Sequence, residues 1–543
     1  MFRRSLLQFF SLFLCCFFLV VGCNTAPSGE NGDTATGNGE PTTDRITLGT
    51  TLKPRTLDPA DAYEIAGLNI IANLCDSLYT YKPSTTDLEP HLATEMPAIS
   101  EDGLTYVIPI REDVVFHDGT ALNAEAVKFS LDRFIQNGGK PSFLLADIVD
   151  TVEATGDYEV TIALKQPFAA FTALLAFAGT CAVSPEAYAL GEGEFTPNEF
   201  VGSGPYKLAA FTSDSLRLDV NEDYWGEAPN NEGVDIQIYN DNSANLFNAF
   251  QTQAVDIAYQ SLDPDQISNL LEGAEEGQWQ AIEAPGTAVS FMALNRNQDP
   301  LDQPEVRKAV ASIVNRDLIN ERVLKGQADP LYSLIPTSFT AYDPIFEEAY
   351  GDGNVEQAKQ LLEEAGYTPD NPAVIEVWFP SGSATRSLAA QTLQAFAEQE
   401  LEGSLQFDPK TVDGATFFQN IKKGIYPATM VFWYPDFLDA DNYIQPFLSC
   451  AEGSEDEGCT QGGAATQGSF YYDERMNELI EAQRQAADES ERLEVFGEIQ
   501  ERLAEDVPYV PLWQNKEYLF VQSGIEGVVM NASQDIPFSL IEK

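Results

Sequence analysis

Basic residues and histidine are scarce in this chain. Its 543 residues include 30 Lys and Arg against 85 Asp and Glu, which gives a formal net charge of −55, and there are two histidines. Such a chain repels a phosphate backbone, which argues against a nucleic-acid partner. The acids are spread along the whole length, and this favours a solvated acidic surface suited to salty surroundings. A preference for cationic ligands is the alternative.

Catalytic signatures are also missing. The chain has no G-x-S-x-G nucleophile elbow and no phosphate-binding P-loop. His91 and His117 stand near no candidate nucleophile in the sequence. We therefore predict a protein that is not an enzyme and that holds no metal and no cofactor. Two poorly placed histidines also argue against nickel binding.

Only one long apolar run occurs, over residues 6–21. It follows a basic start and leads through Gly22 into Cys23, which is the pattern of a lipoprotein signal peptide. We predict that residues 1–22 are removed, that Cys23 carries the lipid, and that residues 23–44 form a disordered tether poor in large apolar residues. A signal anchor is the alternative, although the run is short for a transmembrane helix. The mature chain is then extracytoplasmic and bound to the membrane through its lipid.

Four cysteines remain in the predicted mature chain. An even number in an exported protein predicts disulfides. Cys450 and Cys459 flank a short acidic loop and are expected to pair, which leaves Cys75 for Cys181. Zinc is the alternative, but no CxxC spacing and no nearby histidine supports it.

The organisation of the chain predicts interleaved α/β lobes. About 500 residues exceed what one core organises, and strand-like and amphipathic segments alternate throughout. We predict, among others, a strand over residues 289–294, a long helix over 305–323 and a helix over 387–400. No linker-like segment separates the lobes, as expected where the chain crosses between them more than once.

Residues 92–134 are the most informative stretch. Two β-prone runs, the second at residues 114–116, precede an Asp118-Gly119 turn, and Asn123 is placed to cap a helix. The stretch closely resembles the signature region of the extracytoplasmic solute-binding proteins of family 5, the peptide and nickel import family. Further motifs of that family appear in order at residues 55–59, 74–79, 201–208, 221–225, 294–297, 304–310, 315–319 and 358–367.

The resemblance implies a fold and an arrangement of domains. The fold is α/β, of the two-lobed periplasmic-binding-protein type (class II, large peptide-binding form), with an extra subdomain inserted in the first lobe. Lobe I would comprise residues 45–82, 202–285 and 509–543. The inserted subdomain would be residues 83–201, and lobe II residues 286–508.

The same resemblance implies the function. A monomeric receptor would bind di- or oligopeptides between its lobes and deliver them to the permease and ATPase subunits of an ABC importer. The same architecture binding another solute, such as a nickel complex, an opine or an oligosaccharide, is one alternative. A peptide-binding sensor or chaperone lipoprotein without transport is the other.

The main candidate ligand-binding residues, Trp433, Tyr434 and Asp436, lie at the C-terminal end of a hydrophobic strand predicted over residues 429–433. Asp436 matches the position at which peptide-binding relatives hold the ligand's amino terminus, and Arg386, placed before the 387–400 helix, is the candidate partner of its carboxylate. Asp436, Asp439 and Asp441 could equally be loop carboxylates of an acid-rich protein. Candidate walls and backbone donors of the cleft are Trp433, Tyr434, Trp513, Thr51 and Leu52.

Overall fold

Strands and helices alternate along the computed structural model, which describes residues 44–82, 85–240, 242–259 and 262–543. The predicted signal peptide, Cys23 and the tether up to residue 43 lie outside these residues. The strands are β1 (Ile46–Thr50), β2 (Tyr79–Tyr81), β3 (Leu88–Pro90), β4 (Ala98–Ile99), β5 (Thr105–Pro109), β6 (Val149–Gly156), β7 (Glu159–Leu164), β8 (Tyr206–Phe211), β9 (Ser215–Val220), β10 (Gly233–Ile238), β11 (Ile257–Tyr259), β12 (Trp279–Leu294), β13 (Ala328–Pro330), β14 (Ala373–Pro380), β15 (Leu405–Val412), β16 (Ala428–Trp433), β17 (Glu452–Ser454), β18 (Gly458–Gln461) and β19 (Tyr509–Gln522).

The helices pack around these strands. They are α1 (Ile65–Leu74), α2 (Ala124–Gln136), α3 (Phe143–Ala146), α4 (Phe171–Leu174), α5 (Ser243–Gln251), α6 (Pro264–Glu275), α7 (Pro304–Ile313), α8 (Arg316–Ile319), α9 (Ile345–Tyr350), α10 (Val355–Glu364), α11 (Ala384–Glu400), α12 (Gly414–Ile421), α13 (Gln445–Leu448), α14 (Gly463–Gln467), α15 (Glu474–Gln485) and α16 (Glu489–Asp506). In the described part of the chain, none of them combines the length and the apolar character needed to cross a bilayer.

One large mixed sheet runs through the described residues. Its strand order is β15-β14-β16-β12-β19-β11-β1-β10-β9-β8, and β13 pairs with β19 beside this path. Strand β1 is parallel to β10 and β11, and β14 is parallel to β15 and β16. The sheet therefore has a parallel group on each side of the antiparallel pair β12 and β19, as expected for two α/β layers joined by that pair.

The pair β12 and β19 connects two hydrophobic cores. Residues 289–293 of β12 pair with residues 509–514 of β19, and residues 279–285 pair with residues 516–522, with a register shift between Pro285 and Val289. Gly286 lies at this shift, where an added Cβ would come within 2.3 Å of the Asn515 carbonyl oxygen. Only glycine permits such an approach of two backbones.

The cores change along β19. Its residues from Tyr509 to Trp513 belong to a core built mainly from residues 289–513, whereas Leu519 and Val521 belong to a core built from residues 46–75, 200–259 and 519–541. A third core covers residues 78–182 and includes the four-stranded sheet β4-β5-β7-β6. The domain boundaries given above stay a prediction, and the change of core falls between residues 513 and 519.

Local features of the signature region are confirmed in part. The Asn123 side chain caps α2 by accepting a 3.0 Å hydrogen bond from the Ala126 amide. From the same helix, Arg133 forms two 2.7 Å hydrogen bonds to Asp58, which belongs to the early family motif, and both side chains are fully buried. The β-prone run at residues 114–116 forms no strand and contributes only an isolated bridge between Val115 and Ala121.

The predicted helix over residues 305–323 is wrong. Helix α7 ends at Ile313, and Val314 has an extended ψ of 121°. The Asn315 side chain then accepts a hydrogen bond from the Leu318 amide and begins α8. An asparagine that caps a new helix competes with continuation of the old one, which apolar periodicity alone does not reveal.

Both predicted disulfides are present. Cys75 is bonded to Cys181 and Cys450 to Cys459, with Cα–Cα separations of 5.9 and 5.6 Å. The first bridge links the end of α1 to the segment after α4, and the second closes the hairpin of β17 and β18. The zinc alternative for these four cysteines is therefore wrong.

Candidate ligand-binding cleft

Two adjoining cavities lie beside the end of β16. One of about 470 Å³ is lined by residues that include Arg386, Trp513 and Glu517, and one of about 320 Å³ by residues that include Tyr63 and Asp436. Both are lined by Ile65, Phe432 and Tyr434. Because β16 is buried up to Val431, its end delivers aromatic side chains directly into this space, where Phe432 is 46% and Tyr434 38% exposed. Exposed aromatic groups on a concave wall are typical of ligand sites.

Asp436 is held in the smaller cavity by two neighbours, Tyr63 and Asn442. Its Oδ1 accepts a 2.5 Å hydrogen bond from the Tyr63 hydroxyl, and its Oδ2 lies 3.5 Å from the Asn442 amide nitrogen. The oxygen of Asn442 accepts from both the Asp436 backbone amide, at 2.9 Å, and Trp433 Nε1, at 3.1 Å. These hydrogen bonds fix the orientation of the Asp436 carboxylate.

The charge of Asp436 is poorly compensated. Burial raises the pKa of the Asp436 carboxyl, and the hydrogen bonds from Tyr63 and Asn442 lower it only in part. Within the described part of the chain, no lysine, arginine or histidine forms an ion pair with it. A half-buried carboxylate without a cation is still costly, so this position favours an incoming cation.

Arg386, in the larger cavity, is a cation to which no carboxylate of the described residues is paired. It lies in the first turn of α11, which Ser383 caps by accepting a 3.4 Å hydrogen bond from the Arg386 amide. The prediction that Arg386 precedes the helix is therefore wrong, because the cap stands three residues earlier than expected. Its guanidinium stacks over Phe432 at 4.5 Å from the ring centroid, and no carboxylate among the described residues pairs with it. Burial lowers the pKa of Arg386.

The other predicted cleft residues divide into two groups. Trp513 and Leu52 line the larger cavity, Trp433 lines the smaller one, and Tyr434 lines both. The Leu52 amide already donates to Thr50 Oγ1 at 3.2 Å. Thr51 is 1% exposed and is not among the lining residues of either cavity. The roles of all these residues in binding stay a prediction.

Asp439 and Asp441 support the loop from within. Arg492 forms 2.8 and 2.6 Å hydrogen bonds to the two oxygens of Asp439, and Arg484 pairs with Asp441 at 3.1 Å. Gln483 also donates to Asp441. These carboxylates are satisfied by arginines of the α15–α16 region, so they hold the loop in place and leave Asp436 as its unpaired acid.

Several cleft residues were not predicted. Tyr63 reaches Asp436 across 373 positions of sequence, and Glu517 and Asp535 line the cavities from β19 and the C-terminal segment. Burial raises the pKa of Glu517 to about 7 and that of Asp535 to about 6. Asn442 lies in the same loop as Asp436. Its amide side chain, close to Asp436 in the sequence, was the feature that could have indicated its role.

The histidines are structural. His117 Nδ1 accepts from the Gly202 amide at 3.3 Å, and its Nε2 donates to the Gly204 carbonyl at 3.1 Å. Burial lowers the pKa of His117 to about 4, so the ring is neutral. His91 Nε2 lies 2.9 Å from Asp76 Oδ1. Over the described residues, no group of three His, Cys, Asp or Glu side chains could hold a metal ion.

The chain that forms this cleft matches a known protein family. Residues 87–455 match the family described as bacterial extracellular solute-binding proteins, family 5 Middle. The chain belongs to this family. Family 5 proteins are extracytoplasmic substrate-binding receptors rather than enzymes, as the sequence predicted.

Individual relatives carry more specific names. The chain is similar to di/tripeptide-binding protein 2 of Pseudomonas aeruginosa, with 25% identity over 492 residues that cover 86% of this chain and 89% of that protein. It is 28% identical over 466 residues to the glutathione-binding protein GsiB of Salmonella typhi, covering 84% and 86%. The solved structure of NikA from Brucella suis in complex with Fe(III)-EDTA superposes with a TM-score of 0.80 at 20% identity, covering 92% of this chain and 99% of that chain. The predicted two-lobed α/β fold is thereby confirmed.

Proposed function

We propose that this family 5 receptor binds di- or oligopeptides in the cleft and delivers them to the permease and ATPase subunits of an ABC importer. The observation that carries the proposal is a pair of unpaired, opposite charges in adjoining cavities, the Asp436 carboxylate and the Arg386 guanidinium. A peptide carries an ammonium at one end and a carboxylate at the other, and it matches both. The names of the peptide-binding relatives support the same class of ligand.

Each end of the peptide has a defined partner in this proposal. The ammonium takes the place of the missing cation beside Asp436, whose Tyr63 and Asn442 contacts keep its oxygens directed into the cavity. The terminal carboxylate accepts two parallel hydrogen bonds from Arg386. The aromatic walls exclude water, which strengthens both charge pairs.

Closure of the lobes converts binding into a signal. Tyr63, in the segment before α1, donates to Asp436, in the loop after β16, so this hydrogen bond joins the two sides of the cleft. Movement about the crossing pair β12 and β19, at the Gly286 register shift, would open and close it. The permease then recognises the closed form.

Blocked peptides test the proposal. Calorimetry with a dipeptide, its N-acetylated form and its C-amidated form should show weaker binding for each blocked peptide, by about tenfold or more, because each loses a desolvated charge pair. Denaturing mass spectrometry of ligand retained through native purification should identify peptides. Equal affinity for free and blocked peptides would contradict the proposal.

The proposed tether has its own test. Cys23 is expected to carry the lipid, so Cys23→Ala should release the protein from membranes or trap its precursor, as seen by fractionation. Cys15→Ala changes a cysteine inside the same apolar run and serves as the control, because it should leave the membrane attachment unchanged. Unchanged membrane fractionation of Cys23→Ala, with residues 1–22 removed normally, would overturn this assignment.

A further inference from the structure

The strand β19 lines the larger cavity with six residues between Trp513 and Phe520. Trp513, Asn515 and Glu517 alternate along it, and Trp513 Nε1 donates to Asn515 Oδ1 at 3.0 Å. Lys516 lines the same cavity, but it pairs with Glu283 at 2.8 Å and with Asp329 at 3.8 Å, and it forms no ion pair with Glu517.

Glu517 is an acid without a cation. Its Oε1 accepts a 3.3 Å hydrogen bond from Gln534, and no ion pair reaches it from the described part of the chain. The groups around it are the Tyr434 and Tyr259 phenols, whose pKa values burial raises and the charge of Glu517 raises further. Arg386 lines the same cavity, where it stacks on Phe432.

The charges of a simple peptide leave Glu517 unmatched. If the proposed function holds, the ligand ammonium neutralises Asp436 and the ligand carboxylate neutralises Arg386. A peptide with uncharged side chains has no further cation to pair with Glu517. Charging Glu517 in a closed, water-poor cleft is then costly, as its pKa of about 7 reflects. The aromatic surfaces of Trp513 and Tyr434 beside it suit the aliphatic stem and the charged head of a long basic side chain.

We propose that Glu517 binds a cationic side chain of the ligand, so that the preferred substrates are short peptides containing lysine, ornithine or arginine. This inference rests on the proposed peptide-binding function and adds the side-chain class. It places the basic group against the β19 wall of the larger cavity, between Trp513 and Tyr434.

Pairs of peptides that differ in one charge test this inference. Dipeptides with lysine at the first or second position are compared by calorimetry with their norleucine counterparts. For at least one of the two positions, wild type should bind the lysine peptide about tenfold or more tightly than the norleucine peptide. In Glu517→Gln the ratio should fall to about one while norleucine peptides still bind. The control Glu478→Gln removes a carboxylate that is paired with Arg475 and lines neither cavity, and it should keep the wild-type ratio.

Proton release provides a second readout. A cation beside Glu517 lowers its pKa from about 7, so binding of the lysine peptide at pH 7 should release about half a proton more than binding of the norleucine peptide. Calorimetry in buffers of different ionisation enthalpy measures this difference, which should vanish in Glu517→Gln. Neither Tyr434 nor Tyr259 titrates at this pH, since the pKa of each phenol lies well above it.

The two proposals fail in distinguishable ways. If acetylation of a norleucine peptide weakens binding but lysine confers no preference at either position, the Glu517 inference is overturned and peptide binding stands. A lysine preference that persists in Glu517→Gln also overturns it. If lysine is preferred through Glu517 while acetylation has no effect, the side-chain site stands and the proposed role of Asp436 falls.

Discussion

Two aspartates on cavity walls, the buried Asp76 and the half-buried Asp436, behave in opposite ways. Asp76 faces a cavity of about 580 Å³, and Asp436 faces one of about 320 Å³. Asp76 Oδ1 lies 2.9 Å from His91 Nε2, and its Oδ2 accepts from Ser203 at 2.8 Å and from Trp225 at 3.0 Å. Burial would raise the pKa of Asp76, but these donors lower it below its usual value. For Asp436, burial prevails and the pKa is raised.

The difference shows that burial and cavity size do not by themselves mark a binding site. The 580 Å³ cavity contains the satisfied carboxylate of Asp76, which joins the end of α1 to the segments carrying Ser203 and Trp225. The smaller one contains the carboxylate that still lacks a cation. Asp76 therefore stabilises the fold, and Asp436 is available for a ligand.

The largest expected effect is on folding. Asp76→Asn should lower the free energy of unfolding by about 3 kcal/mol at neutral pH, because an amide cannot accept from all the donors that now surround the carboxylate. Since the folded pKa of Asp76 is lowered, its stabilising contribution is present above the unfolded pKa and is lost as the pH falls through the folded value. Wild type and variant should therefore converge in acid. Chemical denaturation measures both, and equal stabilities at neutral pH would contradict the comparison.

The next largest effect concerns the terminal carboxylate of the ligand, which Arg386 is proposed to bind. Arg386→Met should weaken binding of a free dipeptide by about thirtyfold, because the ligand carboxylate loses a bidentate partner in a dry cleft. The C-amidated peptide should bind wild type and variant alike. Arg475→Met serves as the control, since Arg475 is exposed and paired with Glu478 and Glu498. Calorimetry on the two variants decides, and equal losses in both would refute the role of Arg386.

The sequence predicted the structural features that depend on neighbouring residues or that belong to motifs of the family. It predicted the Asn123 cap and both disulfides, which the structure contains, and it proposed the Asp436 loop as part of the binding site. It missed the break after Ile313, because the apolar periodicity continues through Val314 while the Asn315 side chain starts a new helix. Tyr63 and Glu517 could not be predicted, because they meet the cleft only after chain segments distant in sequence have packed together.

A smaller effect follows from the raised pKa of Glu517. In the empty protein its ionisation opposes folding, so the stability cost grows as the pH rises from about 4.5 through about 7. Glu517→Gln should therefore raise the melting temperature by about 2–4 °C at pH 8 and leave it unchanged at pH 4. Differential scanning calorimetry without ligand measures this difference. A variant that is less stable at pH 8 would show that the wild-type carboxylate is already compensated.

The central claim is that the Asp436 carboxylate lacks a cation that the ligand supplies. The most direct measurement is a cycle in which wild type and Asp436→Asn are each titrated by calorimetry with one dipeptide and its N-acetylated form. The account predicts that Asp436→Asn weakens binding of the free peptide by about a hundredfold or more, with acetylation impairing binding to wild type far more than to the variant. If acetylation weakens binding equally in both proteins, Asp436 does not hold the ammonium and the account is contradicted.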